Sequence, residues 1–153
     1  MGNTYSQLYI QIVFAVKGRE NLVRADNKEA LEKYISGITT GLGVKLMAIY
    51  CMPDHTHLFV SIKPDIRISD MVRDIKANSS KWLNDNRKNN FRFAWQEGYG
   101  VFSYSKSQKE QVINYIINQA EHHRTKTFKE EYISLLKRFE IEYEEKYLFD
   151  WLD

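Results

Sequence analysis

The alternation of apolar and polar residues divides this chain into short strands and amphipathic helices. Four segments rich in β-branched and aromatic residues follow the two-residue period of a strand, at residues 5–16, 44–52, 55–62 and 99–105. Two other segments, residues 27–42 and 68–86, place apolar residues three or four positions apart, as on the buried face of a helix. Further helices are predicted from residue 107 and over residues 128–139. The order β-α-β-β-α-β, followed by helices, is the ferredoxin-like pattern.

This order predicts an α+β protein with a ferredoxin-like antiparallel sheet, helices on one face and a C-terminal helical extension. The length favours a single domain over residues 1–153, with a core at 1–126 and an acidic helical tail at 127–153. The tail contains 4 of the 22 basic and 8 of the 20 acidic residues, so the rest of the chain is basic. A basic body suits a polyanionic partner, with the tail lying away from it, but an ordinary solvated surface explains the charge equally well.

Cysteine content and hydropathy indicate the compartment. Cys51 is the single cysteine, which excludes an internal disulfide and fits a reducing cytoplasm. The N-terminal residues lack a basic segment followed by a long apolar run, and no stretch approaches the length of a membrane span. We therefore expect a cytoplasmic protein without a membrane partner.

The strand at residues 55–62 begins with two histidines two positions apart, His55 and His57. Alternate residues of a strand project from the same face, so these imidazoles are expected to point together, roughly 7 Å apart along the backbone. Two imidazoles on one side of a rigid strand provide half of a metal site. Histidine pairs of this spacing are also often structural, and the spacing alone leaves both interpretations open.

The helix after residue 107 presents a tyrosine and an amide on one face. Tyr115 and Gln119 are four positions apart, while the apolar residues around them serve the core side of the helix. Tyr115 could then be displayed beside an amide oxygen that can bind a metal. A helical tyrosine is more often a packing residue, and a glutamine is more often solvated, so this pattern alone does not identify a site.

Three motifs together resemble the single-tyrosine HUH transposases of the IS200/IS605 group. They are PDHTHL at residues 53–58, WQEGYG at residues 95–100 and YIINQ at residues 115–119. The segment from His122 to Leu136 resembles a longer branch that includes the tyrosine transposases associated with repetitive palindromic elements. Thr56 departs from the family pattern, which expects a bulky apolar residue there, but this position is expected to face away from the metal.

The resemblance implies a DNA transposase that cleaves and rejoins single-stranded DNA at hairpin-bearing element ends. Tyr115 would be the nucleophile and would form a 5′-phosphotyrosine. His55, His57 and Gln119 would hold one divalent ion, Mg²⁺ or Mn²⁺, although imidazoles also suit zinc. The protein would act as a homodimer. The chain has no GxxxxGK loop, which agrees with a reaction that needs no nucleotide cofactor.

One further histidine is a possible auxiliary to Tyr115. An unperturbed tyrosine has a pKa near 10, so a base or a metal must help to generate the phenolate. His122 lies two helical turns beyond Tyr115, on roughly the same face. His122 and its neighbour His123 are equally compatible with surface positions, and a surface position is the favoured interpretation.

Basic and aromatic side chains are the candidates for DNA contact. Those predicted to bind DNA are Lys17, Arg19 and Arg24 near the end of the first strand, and Arg73, Lys76 and Lys81 on the second helix. Trp95, Tyr99 and Phe102 are candidates for stacking on unpaired bases, although such aromatics more often belong to the core. The alternative to an enzyme is a non-catalytic ferredoxin-like module that binds structured nucleic acid.

Overall fold

A four-stranded antiparallel sheet forms the centre of the computed structural model, which describes residues 2–19, 22–86 and 92–152. The strands are β1 (Leu8–Ala15), β2 (Lys45–Cys51), β3 (His55–Ile62) and β4 (Gly100–Tyr104). They are arranged in the order β2-β3-β1-β4, and all three neighbouring pairs are antiparallel. The predicted α+β, ferredoxin-like fold is confirmed.

Two long helices cover one face of the sheet. They are α1 (Ala25–Gly41) and α2 (Ile68–Asn86), as the helical spacing predicts. Their apolar stripes, including Leu31, Ile35 and Ile75, pack against alternate residues of β1 and β3, among them Ile12 and Leu58. None of the helices in the described ranges is both long and apolar enough to cross a membrane.

The C-terminal extension covers the opposite face of the sheet. It comprises α3 (Lys109–Ile117), a one-turn helix α4 (Gln119–His122) and α5 (Phe128–Arg138), with short 3-10 turns at Lys106–Gln108 and Glu145–Tyr147. Helix α5 begins at a capping box, in which Thr127 Oγ1 accepts from the Glu130 N–H at 3.1 Å and Glu130 Oε1 accepts from the Thr127 N–H at 3.3 Å. The second core lies under these helices and includes Val13, Phe59, Phe102, Val112, Ile116, Phe128 and Leu135.

Strand register and one glycine determine which residues meet in this second layer. On β1, Ala15 lies opposite His55 and Val13 lies opposite His57, so both histidines project towards the C-terminal helices. A Cβ at Gly100 would lie 2.7 Å from the hydroxyl oxygen of Tyr132 and 2.9 Å from one of its ring carbons, so any other residue there would displace the Tyr132 ring. Gly100 thus lets α5 pack tightly over β4, with Glu131 next to the histidines.

Candidate active site

His55 and His57 are fully buried, and each is oriented through its Nδ1 atom. The two ring centroids are 5.1 Å apart. His55 Nδ1 lies 2.7 Å from Asp54 Oδ1, and His57 Nδ1 lies 2.7 Å from Gln11 Oε1. These contacts leave the Nε2 atom of each imidazole facing the interior of the site. Phe128 of α5 stacks on His55 with centroids 3.9 Å apart, which fixes the plane of that ring.

Gln11 on β1 selects the tautomer of His57. The Gln11 Nε2 amide donates to the Tyr104 hydroxyl at 2.8 Å, so its oxygen is the atom that faces His57. An amide oxygen can only accept, and therefore His57 Nδ1 carries the proton. A neutral His57 then has its lone pair on Nε2, the atom that would bind a metal.

Glu131 on α5 completes the cluster. Its Oε1 atom lies 3.0 Å from His57 Nε2, 3.4 Å from His55 Nε2 and 3.1 Å from His123 Nε2. Burial alone would raise the pKa of the Glu131 carboxyl, but the surrounding His57, His123 and His55 imidazoles lower it and outweigh burial. The pKa is held well below its usual range, and Glu131 is therefore ionised.

The ring nitrogens that the two strand histidines direct at Glu131 show why this cluster suits a cation. Burial would lower the pKa of His55, but Asp54 and Glu131 raise it above its usual value. Burial dominates at His57 and lowers its pKa, so the neutral ring directs a lone pair at the Glu131 carboxylate. His55 Nε2 is buried without a hydrogen-bond partner in the described part of the chain. A cation between these atoms would satisfy all three groups.

The three side chains can hold a metal ion. One ligand atom from each of His55, His57 and Glu131 lies within 4.8 Å of the others. Two imidazole nitrogens and one carboxylate oxygen form a donor set that suits first-row divalent metals. Asp54 and Gln11 support these ligands without binding the metal themselves. A group that hydrogen-bonds the imidazole nitrogen facing away from the metal fixes the orientation of the ring and raises its basicity.

Tyr115 projects from α3 into the same cluster and is partly exposed to solvent. Its hydroxyl donates a hydrogen bond to Glu131 Oε2, the oxygen that does not face the imidazoles. Burial, together with the negative charge of Glu131, raises the pKa of Tyr115 well above its usual value. The side chain is thus a phenol at neutral pH. One carboxylate therefore contacts the tyrosine through one oxygen and the histidines through the other.

The other predicted site residues lie around this cluster. Gln119 is buried, and its Oε1 atom lies 3.1 Å from His123 Nε2. That nitrogen also faces Glu131 Oε1 at 3.1 Å and must carry a proton to satisfy both oxygens. The neighbouring His122 is exposed, and its ring stacks on Tyr115 with centroids 4.6 Å apart.

Glu131, Gln11 and His123 were not identified as site residues from the sequence. A signal for Glu131 was present, because Phe128, Tyr132 and Leu135 are all buried and lie on the same helix face. A charged residue on the apolar face of an amphipathic helix needs a partner in the interior. Gln11 carries a weaker form of the same signal, as a polar residue within a strand that is otherwise apolar.

Surface ion pairs surround several of the predicted DNA-binding cations. Arg24 lies 3.3 Å from Asp26, Arg73 lies 3.2 Å from Asp70, and Lys81 lies 3.5 Å from Asp85. All of these pairs are largely exposed, so they are weak and can exchange for other anions. Lys17 and Arg19 are exposed just beyond β1.

Lys76 lies in a groove between α2 and residues 94–99. Its ammonium donates to the carbonyl oxygens of Gln96 at 2.9 Å and Gly98 at 2.6 Å, and burial lowers its pKa to about 8.

Of the three aromatics considered for base stacking, Trp95 and Phe102 are buried in the two cores, whereas Tyr99 is 36% exposed. Of these three rings, Tyr99 alone therefore presents substantial surface to solvent.

Comparison with known proteins identifies the family. The model of the family described as transposase IS200-like matches residues 4–119. The chain belongs to the IS200-like transposase family. This segment includes every predicted site residue from Lys17 to Gln119, while His122, His123 and Glu131 lie beyond it.

Individual members of the family resemble this transposase at moderate identity. The ISDra2 transposase TnpA of Deinococcus radiodurans is 25% identical over 118 residues, which are 74% of this chain and 84% of the relative. The IS200 transposase of Salmonella typhimurium is 26% identical over 115 residues, covering 72% of this chain and 75% of the relative.

Two solved structures share the fold of this transposase. A transposase structure from Deinococcus radiodurans is 26% identical, with a TM-score of 0.61, and covers 78% of this chain and 96% of that one. A REP-associated tyrosine transposase bound to a REP hairpin is 16% identical, with a TM-score of 0.59. The matched region covers 100% of this chain and 93% of the REP-associated transposase, so the shared fold extends through the C-terminal helices.

Proposed function

We propose that this transposase cleaves and rejoins single-stranded DNA at hairpin-bearing element ends through a covalent 5′-phosphotyrosine at Tyr115. The observation that supports this most strongly is the position of the Tyr115 hydroxyl, which donates to the same carboxylate that faces both strand histidines. A nucleophile adjacent to a cation-binding cluster is an arrangement that suits metal-assisted phosphoryl transfer. A hairpin is also the DNA bound in the structure of the REP-associated transposase.

The reaction exchanges one phosphoester for another. The Tyr115 oxygen attacks the scissile phosphorus and loses its proton, the bond from phosphorus to the 3′ oxygen breaks, and that oxygen takes up a proton. Rejoining reverses the sequence, when a 3′-hydroxyl attacks the phosphotyrosine and the tyrosine oxygen leaves. The number of phosphoester bonds is unchanged throughout, so the reaction needs no nucleotide cofactor.

We assign a divalent ion, Mg²⁺ or Mn²⁺, to His55, His57 and Glu131, with Gln119 as the further ligand that the family resemblance implies. When bound, such an ion supplies Lewis-acid polarisation of the phosphate and positive charge that offsets the Glu131 carboxylate. Asp54 and Gln11 orient the imidazoles. His122 stacks on the Tyr115 ring and positions it.

The remaining proposals concern the DNA and the assembly. The exposed cations after β1, Lys17 and Arg19, together with Arg24, Arg73, Lys76 and Lys81, are proposed contacts to the DNA backbone. A homodimer is proposed to form along β4, which is one of the two edge strands of the sheet in the described ranges. An open strand edge is a ready site for pairing with a second copy.

A pair of substitutions at Gln11 tests the orientation of His57. Gln11→Leu removes the acceptor for His57 Nδ1–H, and we expect the affinity for Mn²⁺ to fall by about 10- to 100-fold. Gln11→Glu keeps an acceptor at the same position and should retain most of the affinity. Isothermal titration with Mn²⁺ checks both variants. Equal affinity in wild type and Gln11→Leu would contradict this role of Gln11.

The proposed activity is tested by trapping the intermediate. Labelled hairpin DNA with single-stranded flanks, taken from the sequence that surrounds the gene, is incubated with the protein and Mn²⁺ or Mg²⁺. We expect a covalent adduct that survives denaturing electrophoresis and is lost when a chelator is added first. Binding of the hairpin without any adduct, in either metal, would favour the non-catalytic nucleic-acid-binding module.

A further inference from the structure

A cleft opens from Tyr115 along the outer side of α3 and α5. It has a volume of about 350 Å³, which is in the range of small-ligand sites. Tyr115 and Glu131 both line it, so the cleft is continuous with the candidate active site. Val112, Leu135 and the Tyr104 ring provide an apolar wall. The cleft thus combines a surface that can hold a flat ring or a sugar with direct access to the nucleophile.

Two cations line this cleft, Lys126 and Arg138. Neither forms an ion pair with an acidic side chain among the residues that the structure describes. Their neighbours differ in this respect, because Arg124 pairs with Glu121 at 3.5 Å and Lys129 pairs with Glu145 at 2.9 Å. Glu131 is the single acidic residue in the lining, and its Oε1 atom already faces three imidazoles at 3.0 to 3.4 Å. The cleft therefore offers two positive charges to an anion.

Two glutamines also reach the cleft. Gln108 Oε1 accepts from the Ser105 N–H at 2.9 Å, so its oxygen is occupied at the start of the turn before α3. Gln111 is exposed and forms no side-chain hydrogen bond within the described part of the chain. An amide with a free donor and a free acceptor can hydrogen-bond to the edge of a base.

We propose that this cleft binds a nucleotide of the single-stranded DNA that flanks the scissile phosphate. Lys126 and Arg138 contact backbone phosphates, and the apolar wall holds the sugar and base. The inference rests on the proposed function, because it assigns the strand that Tyr115 attacks. A single strand is the ligand that fits, since its phosphates and unpaired bases are both accessible to a cleft of this size.

The test measures how binding depends on salt in the full-length protein. The probes are a fluorescein-labelled DNA hairpin with a single-stranded thymidine tail and the same hairpin without the tail, both without metal. For single strands the slope of log Kobs against log salt changes by about 0.7 per phosphate contact. The double variant Lys126→Gln, Arg138→Gln should therefore lose about 1.4 from the slope for the tailed hairpin. Between 50 and 200 mM salt, the wild type should lose about sevenfold more affinity than the variant.

A matched control uses Lys137→Gln, which removes the same charge from α5 at an exposed position outside the cleft. We expect this variant to keep the wild-type slope, and we expect the double variant to bind the untailed hairpin normally. An unchanged slope in the double variant, or an equal change with the untailed hairpin, would overturn the inference. The assay involves no chemistry, so absence of a covalent adduct would count against the proposed function alone.

Discussion

Replacing Tyr115 with phenylalanine is expected to abolish the covalent DNA adduct while DNA binding is retained. The substitution removes only the hydroxyl, the atom that would attack phosphorus, and leaves the ring stacked on His122. Loss of an enzyme nucleophile lowers turnover by about 10⁶-fold in a serine protease, and we expect a decrease of similar size here. Cleavage and adduct formation are measured with labelled hairpin DNA on denaturing gels, and binding is measured by fluorescence anisotropy.

The control for this prediction is Tyr147→Phe, because the Tyr147 side chain is 76% exposed and lies outside the candidate site. It should cleave DNA as the wild type does. The fold of Tyr115→Phe should also persist, since Glu131 keeps its contacts with the three imidazoles. An adduct of undiminished yield in Tyr115→Phe would remove Tyr115 from its proposed role.

Glu131→Gln is expected to weaken Mn²⁺ binding by about 100-fold or more and to reduce cleavage in parallel. The substitution preserves the shape of the side chain but removes the negative charge that faces His55 and His57. Changes in groups that only support a metal ligand cost about 10- to 100-fold in affinity, so loss of the carboxylate itself should be at the upper end. Isothermal titration gives the affinity, and hairpin cleavage at several Mn²⁺ concentrations gives the activity.

Glu121→Gln is the matched control, because Glu121 is exposed near the site and, in the described part of the chain, forms an ion pair only with Arg124. It should bind Mn²⁺ normally. If Glu131→Gln also bound Mn²⁺ with unchanged affinity, Glu131 would not be a ligand, and the proposed ligand set would reduce to His55, His57 and Gln119.

The fold was largely predictable because its elements are local patterns. Strand alternation at β3 and helical spacing in α1 and α2 are properties of neighbouring residues, and both matched the structure. The sheet contact between β2 and β3 also followed from their short connection. The position of α5 did not follow in this way, because no local pattern specifies which face of a sheet a later helix will cover.

The candidate site was only partly predictable for the same reason. His55, His57, Tyr115 and Gln119 lie within short motifs that the family resemblance could identify. Glu131 comes from α5, in a segment with so many acidic residues that composition does not distinguish it from the others. Its place on the apolar face of α5 indicates burial, but its approach to the histidines depends on the packing of α5 over Gly100. Gln11 meets His57 only through the register of β1 and β3.

The number of basic residues in the sequence did not predict which of them are available to contact DNA. Arg24, Arg73 and Lys81 each lie near an acidic neighbour, and Lys76 is hydrogen-bonded to backbone carbonyls. Lys126 and Arg138 were not selected from the sequence, yet they face the cleft beside Tyr115. The number of basic residues in a segment does not indicate which of them are free to meet a phosphate.

The most direct test of the central claim is to locate the DNA attachment by mass spectrometry. Trypsin cleavage after Lys109 and Arg124 releases residues 110–124, in which Tyr115 is the single tyrosine. After nuclease digestion of the adduct, we expect this peptide to carry the mass of a phosphonucleotide, with fragment ions that assign it to residue 115. Attachment of the nucleotide to any other residue, including His122 or His123 in the same peptide, would contradict the account.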